Sequence, residues 1–250
     1  MDAGLSCRET EKRMNRLSLD LKMVKAVFIS HEHTDHVFGL RVLSKKYRIP
    51  VYITRQTEEL SGLKLEKELV NRFEEARSVR IGDLSVLPFR KRHDAADPHS
   101  FMISSSSVHV GVFTDIGLAC KEVIHYFKQC HAAFLEANYD TDMLMNGSYA
   151  ASLKKRISHG EGHLSNKQAL ELFLHHRPAH MSHLILSHLS ANNNKPELVM
   201  DLFQHHAGKT KIILASRYGE TEVYRVQGEK TGPLQVKPKA IKSEQLKLFE

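Results

Sequence analysis

The stretch Ser30-His31-Glu32-His33-Thr34-Asp35-His36 brings three imidazoles and two carboxylates together within a few residues. It directly follows the apolar run Val24-Lys25-Ala26-Val27-Phe28-Ile29, which predicts a buried strand. His31 and His33 alternate along an extended backbone and can point to the same side, whereas Asp35 and His36 come where the chain enters a predicted helix. Imidazoles and carboxylates together suit zinc, manganese or iron. The stretch therefore predicts a metal site at the end of a strand, with a second ion nearby.

The pattern His-x-His-x-Asp-His resembles the signature of the metallo-β-lactamase superfamily. This resemblance implies an α/β protein, a four-layer αββα sandwich with a two-metal site at one edge of its two sheets. It also implies that polar residues at the ends of later strands complete the site. Taken singly, each such residue would be an ordinary strand-end side chain, but they follow in the expected order. They are His93, Asp115 and His188.

The resemblance also assigns ligands to two divalent ions, which we expect to be zinc or manganese, with iron as an alternative. His31, His33 and His93 are assigned to the first ion, and Asp35, His36 and His188 to the second. Asp115 is assigned to both, because two dications a few ångströms apart need negative charge between them.

Six short segments resemble, in order, those of one branch of the superfamily, the YycJ/WalJ group. They are Gly4-Leu5-Ser6, His93-Asp94-Ala95, Thr114-Asp115-Ile116-Gly117, Glu136-Ala137-Asn138-Tyr139-Asp140, Gly162-His163-Leu164-Ser165-Asn166 and Ser187-His188-Leu189-Ser190. The resemblance extends from Met1 to about Tyr218 and implies a phosphodiesterase that degrades DNA as an exonuclease. Members of this group usually carry a loop and two strands before the tag found here at Asp2-Ala3-Gly4. Either the start codon is misassigned, or the chain is a shortened variant in which we expect one sheet to lack its first strands.

The implied chemistry needs no serine or cysteine nucleophile. Two bound metals can lower the pKa of a bridging water or hydroxide and offset the charge of a phosphate oxygen. Asp35 is expected to take part as a ligand. His163 is our candidate for the general acid, because an imidazole titrates near working pH. The alternative is that His163 supports a ligand or only begins a helix.

The positive net charge of the chain favours binding to a polyanion. The chain of 250 residues has a formal net charge of +7, and a basic balance attracts nucleic acid. The cations expected near the cleft are Arg90, Lys91, Arg92, Lys154, Lys155, Arg156 and Arg217. A solvated charged face is the alternative interpretation of the same residues.

No segment of the sequence indicates a membrane partner or a secretory route. No apolar run approaches the roughly 20 residues of a membrane span, and the charged N-terminus does not resemble a signal peptide. The three cysteines, Cys7, Cys120 and Cys130, are widely spaced and predict reduced thiols. We therefore expect a cytoplasmic enzyme.

The sequence predicts a hydrolase domain at residues 1–226 and a flexible basic tail at residues 227–250. The tail ends in Gln245-Leu246-Lys247-Leu248-Phe249, which resembles the peptide by which bacterial DNA-processing proteins bind the replication sliding clamp. Gln245, Leu246, Leu248 and Phe249 would make the contacts, although Lys247 departs from the preferred residue. The alternative is a helix that folds back on the domain.

Two other classes of function stay open at this point. One is a phosphodiesterase for RNA or a small cyclic phosphate, which would need neither a basic rim nor the tail. The other is a non-catalytic, clamp-tethered metal-binding module, against which the full ligand set and His163 argue. Fold alone does not fix the reaction.

Strands and helices are predicted in alternation, which is typical of α/β layering. The predicted strands are residues 24–29, 50–54, 84–89, 101–105, 108–114, 132–136, 183–186 and 211–215. The predicted helices are residues 9–17, 37–47, 121–129, 166–176 and 196–206, with a further helix beginning at 56–60.

Overall fold

The computed structural model describes residues 1–228 and contains two β-sheets with helices on their outer faces. The strands are β1 (Val27–Phe28), β2 (Val51–Tyr52), β3 (Val70–Asn71), β4 (Val79–Ile81), β5 (Leu84–Arg90), β6 (His99–Ser105), β7 (Val108–Phe113), β8 (Ala132–Glu136), β9 (His183–Ser187) and β10 (Lys211–Leu214). The helices are α1 (Cys7–Arg16), α2 (Thr34–Val37), α3 (Leu40–Tyr47), α4 (Arg55–Ser61), α5 (Lys121–Phe127), α6 (Thr141–Asn146), α7 (Ala151–Ser158), α8 (Asn166–His176) and α9 (Pro196–Gln204).

The smaller sheet is parallel and has the order β1-β2-β3. The larger sheet has the order β10-β9-β8-β7-β6-β5-β4. Its strands β4 to β7 form an antiparallel meander, whereas β7 to β10 run parallel because helices cross over between them. The carboxyl ends of β7, β8 and β9 therefore meet at one edge of the sheet, and polar residues follow or end each of them.

The two sheets pack face to face through aromatic side chains. Within the small sheet, Phe28 of β1 stacks on Tyr52 of β2 at a centroid distance of 4.5 Å. Across the interface, Phe28 contacts the edge of Phe101 of β6 in the large sheet at a centroid distance of 5.8 Å. Phe73 and Val86 complete this buried layer. Helices α1 and α3 cover the small sheet, and α5, α8 and α9 cover the large one. The predicted αββα layering is confirmed.

The structure corrects the predicted helix at residues 37–47. Helix α2 begins within the histidine motif and α3 begins only at Leu40, because the amide of Gly39 donates to Ala3 instead of continuing one helix. Asp35 and His36 thus lie in the first turn of α2.

Four short elements were not predicted from the sequence: β3, β4, α6 and α7. Helix α7 buries none of its residues, so it carries little of the periodic apolar signal on which helix prediction depends. Helix α6 is one short segment held by the Asp140 side chain, which accepts from the amides of Asp142 and Met143.

The predicted clamp-binding residues Gln245, Leu246, Leu248 and Phe249 lie outside the described residues, so their role stays a prediction. In the described part of the chain, no helix combines the length and the apolar composition that a membrane crossing requires.

Candidate metal centre

Four loops that follow strands carry the predicted ligands to one place. His31 and His33 follow β1, His93 follows β5, Asp115 follows β7, and His188 follows β9. All seven predicted ligands belong to small, overlapping groups of side chains that could hold a metal ion. Within each group, the donor atoms lie within 4.8 Å of one another. They are His31, His33, Asp35, His36, His93, Asp115 and His188.

The first predicted ligand group is a triad of imidazoles. The Nε2 atom of His31 lies 3.0 Å from Nδ1 of His33, which is 3.3 Å from Nε2 of His93. In two of these rings, hydrogen bonds hold the nitrogen that points away from the triad. Nδ1 of His31 contacts the Ser30 hydroxyl at 2.8 Å, and Nδ1 of His93 contacts the Gly162 carbonyl at 2.9 Å. Burial lowers the pKa of His31, and lowers that of His93 to about 4. Both rings are therefore neutral, the form in which imidazole binds metal.

The second predicted group combines a carboxylate with two imidazoles. Asp35 Oδ2 lies 3.7 Å from Nε2 of His36 and 3.5 Å from Nε2 of His188. The other nitrogen of His36 contacts Asp2 Oδ2 at 2.9 Å, and Asp2 also accepts from the amide of Ser30 at 2.7 Å. Asp2 was not predicted as part of the site. A carboxylate behind a ligand imidazole fixes its orientation and raises its basicity.

Asp115 lies at the centre of the cluster and is buried. Its Oδ2 lies 3.1 Å from Nε2 of His36, and its Oδ1 lies 3.3 Å from Nε2 of His188 and 3.8 Å from Nε2 of His93. One carboxylate thus faces histidines of both groups. This position suits the bridging role expected from the sequence.

The charges in the cluster match what a divalent ion needs. Burial alone would lower the pKa of His36, but Asp115 and Asp2 outweigh it and raise the pKa to about 10. Burial would raise the pKa of Asp115, but His188, His36 and Lys91 hold it well below its usual range. The carboxylates of Asp115 and Asp2 thus stabilise positive charge next to them. Either a protonated imidazole or a bound dication can carry that charge.

Two buried atoms support this fit. His36 Nε2 and Asp115 Oδ2 have no hydrogen-bond partner of acceptable geometry, and buried polar atoms are otherwise nearly always satisfied. Nitrogen and carboxylate oxygen donors in this combination suit zinc, manganese or iron. The residues present therefore fit a bound metal centre.

Three residues of the centre have a left-handed backbone that non-glycine residues rarely adopt. The φ angles are 50° at Asp2, 53° at Asp115 and 58° at His188. Such conformations cost free energy and concentrate at functional sites. At each of the three residues, this backbone conformation directs the side chain into the cluster. Asp115 and His188 do so from the end of a strand, and Asp2 from the N-terminal segment.

Glu136 is the largest omission of the sequence-based prediction. It is fully buried at the end of β8, where its Oε1 contacts Nδ1 of His163 at 2.7 Å and Nδ1 of His188 at 3.1 Å. Its Oε2 accepts from the amide of Ile116 at 2.7 Å. Burial would raise the pKa of Glu136, but the two histidines outweigh it and lower the pKa to about 2. Its place at the end of a predicted strand, like that of Asp115, was the available signal.

His163 lies next to the cluster, as the sequence suggested. Its ring is 5.1 Å from that of His93 and 5.4 Å from that of His188, centroid to centroid. Because Glu136 engages Nδ1, the Nε2 atom is left for another partner. His163 also lines a small cavity of about 160 Å³ beside His33.

The predicted basic rim is only partly present. Lys91 is buried and donates to the Thr114 carbonyl at 2.8 Å, with its Nζ 4.0 Å from Asp115, so it is an internal cation and not a rim residue. Arg90 pairs with Glu75 and Asp97, and Arg156 pairs with Asp94. The Arg217 guanidinium forms no ion pair with a carboxylate of residues 1–228.

Gly4 sets the distance between the N-terminal segment and the metal loop. A Cβ atom at Gly4 would lie 1.5 Å from the Asp35 carbonyl oxygen, so we expect Gly4→Ala to force the two segments apart. The free energy of unfolding should fall by about 1–3 kcal/mol, as overpacking usually causes, which lowers Tm by about 2–12 °C. Thermal unfolding measures this. Gly160→Ala is the control, because a Cβ there meets nothing within 4 Å. Equal Tm values for both variants would contradict the expectation.

Comparisons with known proteins agree on the family. Residues 1–189 match the model of the beta-lactamase superfamily domain. The chain is 32% identical over 203 residues to exodeoxyribonuclease YycJ of Bacillus anthracis and 30% identical over 203 residues to exodeoxyribonuclease WalJ of Streptococcus pneumoniae. Each match covers 79% of this chain and 76% of the relative. Among solved structures, the metallo-beta-lactamase fold protein YhfI from Bacillus subtilis superimposes with a TM-score of 0.64 at 15% identity, covering 86% of this chain and 83% of that one.

Proposed function

The chain belongs to the β-lactamase superfamily, as a hydrolase related to YycJ and WalJ, and from this premise we propose that it is a metal-dependent phosphodiesterase that degrades DNA as an exonuclease. The observation that carries the proposal is the convergence of the seven predicted ligands with His163 and Glu136 at one edge of the sheets. The names of the relatives support DNA as the substrate. An enzyme acting on chromosomal DNA would work in the cytoplasm.

In this proposal, His31, His33 and His93 would hold one ion and Asp35, His36 and His188 a second, with Asp115 available to both. Divalent ions bound there would lower the pKa of water and offset negative charge on a phosphodiester. Zinc and manganese are the ions we propose.

The chain's own residues would orient the ligands and move the proton. Asp2 and Glu136 hold the far nitrogens of His36 and His188, so that both Nε2 atoms face the cluster. Glu136 also holds Nδ1 of His163. His163 can therefore donate a proton from Nε2 to the leaving oxygen of the sugar, the role of a general acid.

Nuclease assays on the purified protein test the proposal. End-labelled duplex DNA, single-stranded DNA and RNA are incubated with manganese or zinc, beside the double variant Asp35→Ala/His36→Ala. Stepwise, metal-dependent release of nucleotides from DNA that the variant lacks is the expected result. Cleavage of RNA alone, or of only small phosphodiesters, would move the substrate to the alternative class. No cleavage of any phosphodiester by folded, metal-loaded protein would refute the proposal.

The sequence of the tail supports a further proposed partner, the bacterial sliding clamp. A peptide of residues 241–250 is expected to bind a purified clamp, since Gln245, Leu248 and Phe249 offer one polar and two apolar anchors. Calorimetric titration measures this. The same peptide with Leu248→Ala and Phe249→Ala is the control, and equal binding of both peptides, or of neither, would remove the clamp from the proposal.

A further inference from the structure

A groove of about 820 Å³ opens directly from the second ligand group. Asp35 and His188 line it, and Leu5, Pro196 and Leu214 contribute apolar surface. Arg217 and Tyr218 belong to the same lining. Its volume falls within the range of about 300–1,000 Å³ that is common for small-ligand sites. The groove is therefore large enough for a nucleoside and continuous with the candidate metal centre.

The other cavities fit a nucleoside less well. The cavity beside His163 and His33 has only about 160 Å³. A pocket of about 620 Å³ between α8 and α9 is lined by Asp201 and His205 among others, and contains none of the proposed ligands or His163. Among these cavities, a substrate whose phosphate reaches Asp35 and His188 would have its neighbouring nucleoside in the larger groove.

Arg217 gives the groove a cation in a fixed place. Its guanidinium donates to the Leu189 carbonyl at 2.9 Å, and its own carbonyl accepts from Arg13 at 2.8 Å. These two bonds hold the residue beside the loop that carries His188. Since no carboxylate of the described residues forms an ion pair with Arg217, its charge is available for an anion. A guanidinium suits a phosphate, which it can bind through two parallel hydrogen bonds.

Tyr218 lines the groove and presents most of its side chain to solvent. It is 85% exposed, and its backbone amide is held by the Ser216 hydroxyl at 3.1 Å. Single exposed aromatic residues are common on protein surfaces. Here the exposed ring adjoins an unpaired arginine and a groove that leads to the metal centre, which is the combination by which proteins hold single-stranded nucleic acid.

We propose that this groove is the nucleotide subsite of the enzyme: Arg217 binds a phosphate next to the scissile one, and Tyr218 stacks on an unpaired base. This inference rests on the proposed phosphodiesterase function and names the part of the substrate that the chain reads. Because stacking needs an unpaired base, the subsite takes a single-stranded or frayed end of the polymer. Stacking on an aromatic ring tolerates every base, so the subsite gives affinity without sequence preference.

Substitution of Tyr218 tests the stacking. Binding of a short fluorescein-labelled oligothymidylate is measured by anisotropy in EDTA, and kcat and KM are measured with manganese on the same oligonucleotide and on bis(p-nitrophenyl) phosphate, which has no base. For Tyr218→Ala, we expect Kd and KM for the oligonucleotide to rise by about 5- to 150-fold, the range that stacking supplies. Tyr218→Phe should retain the wild-type values. Tyr224→Ala is the matched control, because Tyr224 packs against Lys211, away from the groove.

Substitution of Arg217 tests the phosphate contact separately. For Arg217→Gln, the slope of log Kd against log salt should decrease by about 0.7, the contribution of one phosphate on a single strand. A merely structural role would leave this slope unchanged.

The outcomes separate this inference from the proposed function. If the wild type cleaves both substrates but Tyr218→Ala and Arg217→Gln leave Kd, KM and the salt slope unchanged, the subsite is refuted and the function stands. If Tyr218→Ala lowers kcat/KM equally on both substrates, a general disturbance is shown and the subsite is also refuted. If the wild type cleaves neither substrate, the proposed function fails, and the subsite fails with it.

Discussion

Replacing His163 by alanine is expected to lower kcat for DNA hydrolysis by about 10²- to 10⁴-fold, the usual effect of losing a general acid. The reason lies in its contact with Glu136, whose buried carboxylate holds Nδ1 of the ring at 2.7 Å and leaves Nε2 for the leaving oxygen. The 3′ or 5′ oxygen of a sugar is a poor leaving group without a proton. Single-turnover rates on a labelled oligonucleotide, with saturating manganese, measure the effect.

The leaving group provides the decisive control for His163. In thymidine 5′-(p-nitrophenyl) phosphate, the nitrophenolate leaves without a proton, so His163→Ala should retain most of the wild-type rate on this substrate. An equal loss on both substrates would show that His163 only shapes the site. His159→Ala is the matched variant, since His159 is exposed in the same loop. It should behave as the wild type on both substrates.

The positions of some predicted ligands follow from local rules. A strand delivers its last residues to the edge of a sheet, and parallel strands of one sheet deliver theirs to the same edge. The polar residues after β7 and β9 could therefore be expected to meet, whereas β1 lies in the other sheet, so the approach of its motif was an implication of the resemblance. The structure brings them within 4.8 Å in overlapping groups, and the resemblance to the superfamily supplied the order in which they should occur.

The residues behind the ligands could not be predicted in this way. Asp2 is 34 positions from His36, and Glu136 is 52 positions from His188. Their roles depend on contacts that no local pattern records. Lys91 is a case in which the local pattern misled. A lysine within a basic run is predicted to be exposed, but Lys91 is buried beside Asp115. Long-range packing decides these cases, and the same is true of the break between α2 and α3, where Gly39 bonds to Ala3.

The charge of Asp115 is the property on which metal binding should depend most. Asp115→Asn is expected to lower DNA hydrolysis by more than about 100-fold, the upper end of the losses found for residues that only support metal ligands. Asparagine keeps the size of the side chain, and it tolerates the left-handed backbone of this position, φ 53°. The substitution therefore removes negative charge between the two ligand groups with little change of shape. Asp201→Asn, on the exposed face of α9, is the matched control.

Thermal unfolding separates the effect of Asp115 on metal affinity from its effect on the fold. At a manganese concentration 100 times its Kd, binding should stabilise the wild type by about 2.7 kcal/mol, which raises Tm by about 5–11 °C. If Asp115→Asn binds manganese a hundredfold more weakly, binding at the same concentration stabilises the variant by only about 0.4 kcal/mol. Removing the charge of Asp115 also leaves Lys91 without its buried carboxylate and His36 with Asp2 alone, so Asp115→Asn should unfold at a lower temperature even in EDTA. The comparison is therefore the rise in Tm of each protein above its own value in EDTA. A full rise in Asp115→Asn would show that Asp115 does not join the two ions, and the site would then rest on two independent groups.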